Sequence, residues 1–199
     1  MLRWPLQAVP KASVIPIMSG PARGLRWIVG ASIHGCWLGT YEKTKQKRFA
    51  CELKPNDVVY DLGAQAGFYS LLASRLVGAN GAVYSFEPLP RNVRFLQQHI
   101  KLNGITNISV LELAVGQTDG MARFADGPNP LQGSLSESGL RTVRVAQLDT
   151  LFSEGHLRPP KVLKIDIEGG GLAASLGAKK LLETYKPVVF PGAGCGFGL

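Results

Sequence analysis

One stretch constrains this chain more than any other. Val58-Val59-Tyr60-Asp61-Leu62 is an apolar run carrying a carboxylate near its end, and a glycine-bearing turn, Gly63-Ala64-Gln65-Ala66-Gly67, follows it. After helical spacing, a second apolar run, Val83-Tyr84-Ser85-Phe86, ends on Glu87-Pro88. Strand, turn, helix and strand in this order make a βαβ unit, which buries both faces of its strands only in a mainly parallel sheet. Glycines in the turn let backbone approach a ligand closely, and a carboxylate ending the second strand can accept both hydroxyls of a ribose. The turn reads D-x-G-x-x-x-G rather than G-x-G-x-x-G. That spacing favours S-adenosylmethionine (SAM) over NAD as the nucleoside cofactor, with an NAD-dependent oxidoreductase as the weaker alternative.

The rest of the chain continues the alternation. The pattern predicts strand 58–62, helix 67–77, strand 82–86, helix 90–102 and strand 108–113, then strand 161–167, helix 172–185 and strand 187–190. Helix 90–102 is well specified: Pro90 suits the first turn, Val93, Leu96 and Ile100 form one apolar stripe, and Asn103-Gly104 stops it. Short strands, including Arg141–Leu148, are expected within 121–149, around a Gly/Pro/Ser-rich link at 126–139. Upstream, Val14–Met18 and Leu25–Val29 flank Ser19-Gly20-Pro21 as a hairpin. Gly35–Gly39 reads as a loop and 41–53 as a helix. The fold expected is α/β, a doubly wound and mainly parallel sheet. Residues 1–56 form an N-terminal hairpin and cap segment, 57–190 the cofactor-binding domain, and 191–199 a glycine-rich tail.

Composition excludes several classes. With 199 residues and 45% apolar content the chain can bury a sizeable core. No apolar run reaches the roughly 20 residues of a membrane span, and Pro5, Pro10 and Pro16 interrupt anything like a secretory signal. Cys36, Cys51 and Cys195 have neither disulfide-framework nor zinc spacing, and His34, His99 and His156 lack ligand spacing, so no metal is expected. A reduced, cytoplasmic protein is the default. The net charge of +8 sits mostly in residues 1–56, where nine Lys/Arg face two acids. No aromatic-basic interleaving accompanies it, so it reads as a solvated face and not as a nucleic-acid surface.

Parallel sheets bind ligands beyond the carboxyl ends of their strands. This places Asp61, Gly63, Gly67 and Glu87 at a cofactor site, with Glu112, Leu113 and Ala114 beside the adenine. Asp166 and Glu168 leave one strand at i and i+2 and therefore share a face where the acceptor should sit. A carboxylate there can take or orient the proton of an acceptor hydroxyl. His34 and Trp37 are candidates for the substrate mouth.

From Ile15 to about Val189 the chain resembles the FkbM family of SAM-dependent methyltransferases. The matching stretches are Trp27-Ile28-Val29-Gly30, the run from His34 to Glu42, the run from Asp61 to Tyr69, Phe86-Glu87-Pro88, Leu148-Asp149 and Lys164-Ile165-Asp166-Ile167-Glu168-Gly169. The resemblance implies a class I methyltransferase fold and methyl transfer to a hydroxyl of a small molecule or glycan. It gives Asp61, Gly63, Ala64, Gly67, Glu87 and Pro88 cofactor-binding roles, and sets Glu42 over the methionine end of the cofactor.

Three departures stand out. Gln65 replaces the usual Asn, and Gly170-Gly171 replaces Ala-Glu, which removes one acid near the acceptor. After Pro187-Val188-Val189-Phe190 the chain has only a glycine-rich tail, whereas this fold normally adds two further strands. Without them strand 187–190 is an open edge, an expected route to a homodimer. The alternative function is a cofactor-binding but weakly active or inactive remnant that works as an interaction module.

Overall fold

The computed structural model describes residues 6–126, 133–136, 138–167 and 169–192. A hairpin of β1 (Val14–Pro16) and β2 (Arg26–Ile28) leads through α1 (His34–Leu38) and α2 (Lys43–Glu52) into the main sheet. There follow β3 (Val58–Leu62), α3 (Phe68–Val77), β4 (Ala82–Phe86), α4 (Pro90–Leu102) and β5 (Ile108–Leu111). A second layer holds β6 (Ala114–Val115), β7 (Gly120–Asp126), β8 (Gly133–Leu135), β9 (Arg141–Ala146) and α5 (Leu148–Ser153). The chain then re-enters the main sheet with β10 (Val162–Ile165), passes through α6 (Gly171–Leu176) and α7 (Lys179–Tyr185), and adds β11 (Val188–Pro191).

The main sheet has the order β11-β10-β3-β4-β5 and every pairing in it is parallel. β3, the first strand of the βαβ unit, lies at its centre, and the strand order reverses beside it. This is the switch point where such sheets open a crevice. Val59, Val83, Val162 and Phe190 point to one face and pack with Trp27, Phe49, Leu71 and Leu72. Tyr60, Phe86, Leu163 and Ile165 point to the other and pack with Leu148, Leu151, Ala174 and Leu181. The period of two along each strand thus splits the core into two halves, one per face. The hairpin belongs to the first of these: Trp27 is fully buried and stacks on His99 of α4 at 4.0 Å between ring centroids.

Four sequence expectations are corrected. Gly35–Gly39 is not a loop: His34–Leu38 forms one helical turn, closed by Gly39 at φ 74°, whose N–H bonds back to Cys36 and Gly35. Strand 108–113 ends at Leu111, because the chain leaves the sheet for β6 to pair with β9. The strand expected over Arg141–Leu148 stops at Ala146, where Asp119 accepts from Gln147 N and Thr150 Oγ1 and starts α5. Helix 172–185 is broken into α6 and α7. At the break a Cβ on Gly177 would overlap the Gly116 carbonyl, Gly177 O accepts from Asp149 N, and the Asp149 carboxylate caps α7 through Lys180 N and Leu181 N. The residues 191–199 expected as a tail lie outside the described residues from 193 onward.

Candidate active site

Register builds the site. In the parallel ladder Ser85 lies opposite Asp61, and Asp61 opposite Lys164, so three polar side chains stand in one row across β4, β3 and β10. Asp61 is 1% exposed and Lys164 2%. Lys164 Nζ is 3.1 Å from Asp61 Oδ1 and 3.3 Å from Asp166 Oδ2. Ser70 Oγ donates to Asp61 Oδ2 at 2.6 Å and Ser85 Oγ donates to Ser70 Oγ at 2.8 Å. Burial opposes the charge of Lys164, but the carboxylates of Asp61 and Asp166 outweigh it and raise its pKa. A buried ammonium survives only with such partners.

Above this row lies a cavity bounded by the glycine turn, the end of β4, the start of α4, the end of β10 and β6. Glu87 is 5% exposed. Its Oε2 accepts from Gln65 N at 2.8 Å, and its Oε1 accepts from Leu89 N at 2.9 Å and Asn92 Nδ2 at 3.2 Å. Burial raises its pKa, and those three donors work in the opposite direction. Asn92, also in the lining, is 1% exposed, and its Oδ1 has no hydrogen-bond partner among the described residues. The donation to a carboxylate fixes which amide atom is oxygen.

The two glycines of the turn serve packing within the chain. Gly63, at φ 77°, faces the Asp166 carbonyl, which a Cβ would overlap. Gly67, at φ 94°, faces Leu96 Cδ1 of α4 in the same way. Together they let the end of β10 and α4 close on the turn, and Gly63 also lines the cavity.

The remaining expected residues divide. Ala64, Pro88, Leu113, Ala114 and Asp166 line the cavity, and the Asp166 side chain is 26% exposed toward it. Asp61 lies beneath the lining and reaches it through Lys164. Glu42 stands behind the aromatic wall: its Oε2 accepts from Tyr69 OH at 2.9 Å and its Oε1 pairs with Lys45 Nζ at 3.3 Å. Tyr69 and Tyr41 do line the cavity, and burial together with the Glu42 charge raises the pKa of both phenols. Among the described residues, Gly67, Glu112, His34 and Trp37 are not in the cavity lining. Glu112 is exposed, because β5 has already ended. Trp37 is buried in the core, and its Nε1 donates to His34 Nδ1 at 3.1 Å, so the pair satisfies itself away from the opening. Glu168 lies outside the described residues. Sequence reasoning missed Lys164, Asn92, Tyr41 and Tyr69. Only Lys164 carried a visible signal, a lone cation within the apolar run Val162-Leu163-Lys164-Ile165.

Residues 61–191 match the family model described as the Methyltransferase FkbM domain. The chain belongs to the FkbM methyltransferase family. The methyl donor of this family is SAM. Among curated proteins, this FkbM chain is similar to the hexuronic acid methyltransferase AglP of Haloferax volcanii, with 24% identity over 143 residues covering 69% of this chain and 56% of AglP. A shorter stretch of 60 residues is 38% identical to a protein-L-isoaspartate O-methyltransferase of Fervidobacterium nodosum, covering 30% of each. Among solved structures, the crystal structure of methyltransferase FkbM from Methylobacillus flagellatus KT shares the fold. It has a TM-score of 0.50 and 21% identity, and the match covers 67% of this chain and 32% of that one. The chain thus spans about half the length of AglP and a third of the crystallised FkbM protein. Among the described residues no helix is long and apolar enough to cross a membrane.

Proposed function

We propose that this FkbM-family chain is a SAM-dependent O-methyltransferase acting on a hydroxyl of a small molecule or glycan. The observation that carries the proposal is the Glu87–Asn92 pair. A carboxylate offers roughly four acceptor sites, and three of those on Glu87 are already used. Among the described residues one remains for a ribose hydroxyl, and the Oδ1 of Asn92, without a partner among them, supplies an acceptor for the other. A buried amide oxygen without a partner costs stability unless a ligand satisfies it. The residues present therefore fit a nucleoside cofactor.

When bound, SAM supplies an electrophilic methyl group on a sulfonium. The chain contributes charge and position. Glu42, Asp61 and Asp166 bring three carboxylates against the two ammonium groups of Lys45 and Lys164, a net negative charge suited to a cationic ligand. Tyr41 and Tyr69 close the wall on that side and exclude water. Asp166, the carboxylate paired with Lys164 that reaches the opening, is the candidate to accept or orient the acceptor hydroxyl proton. Because Lys164 holds Asp166 from beneath, its carboxylate is fixed before an acceptor arrives, and positioning of this kind supplies a large share of the rate of such transfers.

The identity to AglP, named as a hexuronic acid methyltransferase, supports a sugar acceptor. Calorimetry with SAM and S-adenosylhomocysteine on the chain and on Glu87→Ala is the direct test. Binding that is lost in the variant supports the site. A folded chain that binds neither ligand would leave it as an inactive relative, the interaction-module alternative.

A further inference from the structure

A second concave feature lies on the outer side of α4, away from the methyltransferase cavity. α4 has two faces. Asn92, Leu96 and His99 point inward, whereas Arg91, Phe95, Gln98 and Leu102 recur at i, i+4, i+7 and i+11 on the other side. That outer face and the β1–β2 hairpin enclose a groove of about 890 Å³. From Arg91 to Leu102 it follows the helix for about 16 Å.

The chemistry of the groove is two-sided. Its floor is aliphatic, from Ala12, Val14, Ile28 and Leu102, and among the described residues Phe95 is the one aromatic ring that lines it. Its rim holds Lys11, Arg26, Arg91 and Lys101, and among the described residues no acidic side chain lines it. Lys11, Arg26 and Lys101 are exposed, and Val14 between them is 45% exposed. The walls are fixed to each other: Arg26 N donates to Asn103 Oδ1 at 2.7 Å, and Asn103 Nδ2 donates to Arg26 O at 2.9 Å. The hairpin is thereby docked along the end of α4, and the groove between them is part of the folded structure.

We infer that this groove is a docking surface for an anionic lipid bilayer. Cations spread along 16 Å match several headgroups, not one phosphate, and the aliphatic floor with exposed Val14 suits the boundary between headgroups and acyl chains. A single-stranded nucleic acid fits less well. Stacking bases need open aromatic faces, whereas one face of Phe95 is covered by the Arg91 guanidinium, 5.2 Å from the ring centroid. The inference is independent of methyl transfer.

The test is co-sedimentation with vesicles of equal parts phosphatidylglycerol and phosphatidylcholine, and with vesicles of phosphatidylcholine alone. The chain is expected to bind the first and not the second. Lys11→Glu/Arg26→Glu/Lys101→Glu should weaken binding by on the order of 100-fold, given about fivefold per cation near an anionic surface. Lys47→Glu/Arg48→Glu/Lys54→Glu, an equal charge change on and after α2, should retain it. If the triple groove variant does not fold, as judged by circular dichroism, Lys11→Glu/Lys101→Glu should still weaken binding by on the order of 10-fold. Absence of binding to anionic vesicles overturns the inference, as does equal loss in the groove and α2 variants. Displacement of the vesicles by a single-stranded oligonucleotide would overturn it in favour of a nucleic-acid site.

Discussion

Lys164 and Asp61 face each other across neighbouring parallel strands, with Nζ and Oδ1 3.1 Å apart and both side chains almost wholly removed from water. Removing one partner of such a pair leaves an uncompensated buried charge, a cost of about 3–5 kcal/mol. Lys164→Met should therefore destabilise the chain by that amount in urea denaturation, and Lys164→Met/Asp61→Leu should recover much of the loss. A single variant within about 1 kcal/mol of the parent would show that the pair is not a buried unit.

Asn92→Ala tests the ribose acceptor separately from Glu87. It removes the unpartnered Oδ1 and one donor to Glu87. SAM affinity should fall by about tenfold, the equivalent of one hydrogen bond. Unchanged affinity in calorimetry would remove Asn92 from the cofactor site.

Asp166→Asn is nearly isosteric and keeps the contact with Lys164 only as a neutral dipole. Loss of a proton acceptor typically costs on the order of 10²–10⁴-fold in turnover. The expected pattern is a fall of that size in kcat with SAM affinity little changed. A variant with parental kcat would refute a role for Asp166 in the transfer.

Gly63→Ala and Gly104→Ala separate backbone strain from steric overlap. Both glycines have positive φ, 77° and 62°, but a Cβ on Gly104 enters open space whereas one on Gly63 overlaps the Asp166 carbonyl. Gly104→Ala should cost about 1 kcal/mol, and Gly63→Ala distinctly more, with a drop in activity because Asp166 is displaced. Equal melting temperatures for the two would contradict the close approach of β3 and β10.

His99 gives the chain a pH dependence with a definite sign. Burial lowers its pKa from 6.5 to about 4, with the Ala66 carbonyl acting in the opposite direction. The unfolded chain thus takes up a proton that the folded chain refuses between these values. The contribution of His99 is complete above about pH 6.5 and declines as pH falls toward 4, by roughly 3 kcal/mol in all. The denaturation midpoint should fall between pH 7 and pH 5, and His99→Gln should flatten that slope. An identical slope in the variant would assign it to other groups.

Local pattern carried much of the fold. Strands 58–62 and 82–86 and helix 90–102 fall where apolar period, Pro90 and Asn103-Gly104 put them, because each is specified within its own few residues. The site was legible only in part. Glu87 is visible because it ends a strand in a βαβ unit, whereas Lys164 acquires its meaning from standing opposite Asp61, which requires knowing that β10 lies beside β3. Glu112 was misplaced by two residues of strand length. On sequence His34 and Trp37 are candidates for the substrate mouth, but Trp37 donates to His34 and is drawn into the core. The glycine turn stands where the sequence puts it, after β3, but its missing side chains make room for Asp166 and Leu96, a packing role that the sequence does not reveal.

The ring of His99 spans two parts of the chain that are far apart in sequence. Its Nε2 accepts from Ile28 N at 3.0 Å and its Nδ1 donates to Ala66 O at 2.8 Å. A hairpin that peels away therefore strips one partner from the ring that holds the turn lining the cavity. In native-state hydrogen exchange the Ile28 amide and the amides of the glycine turn should open as one cooperative unit, with one free energy. A ligand that closes the turn would then slow exchange in a hairpin it never touches.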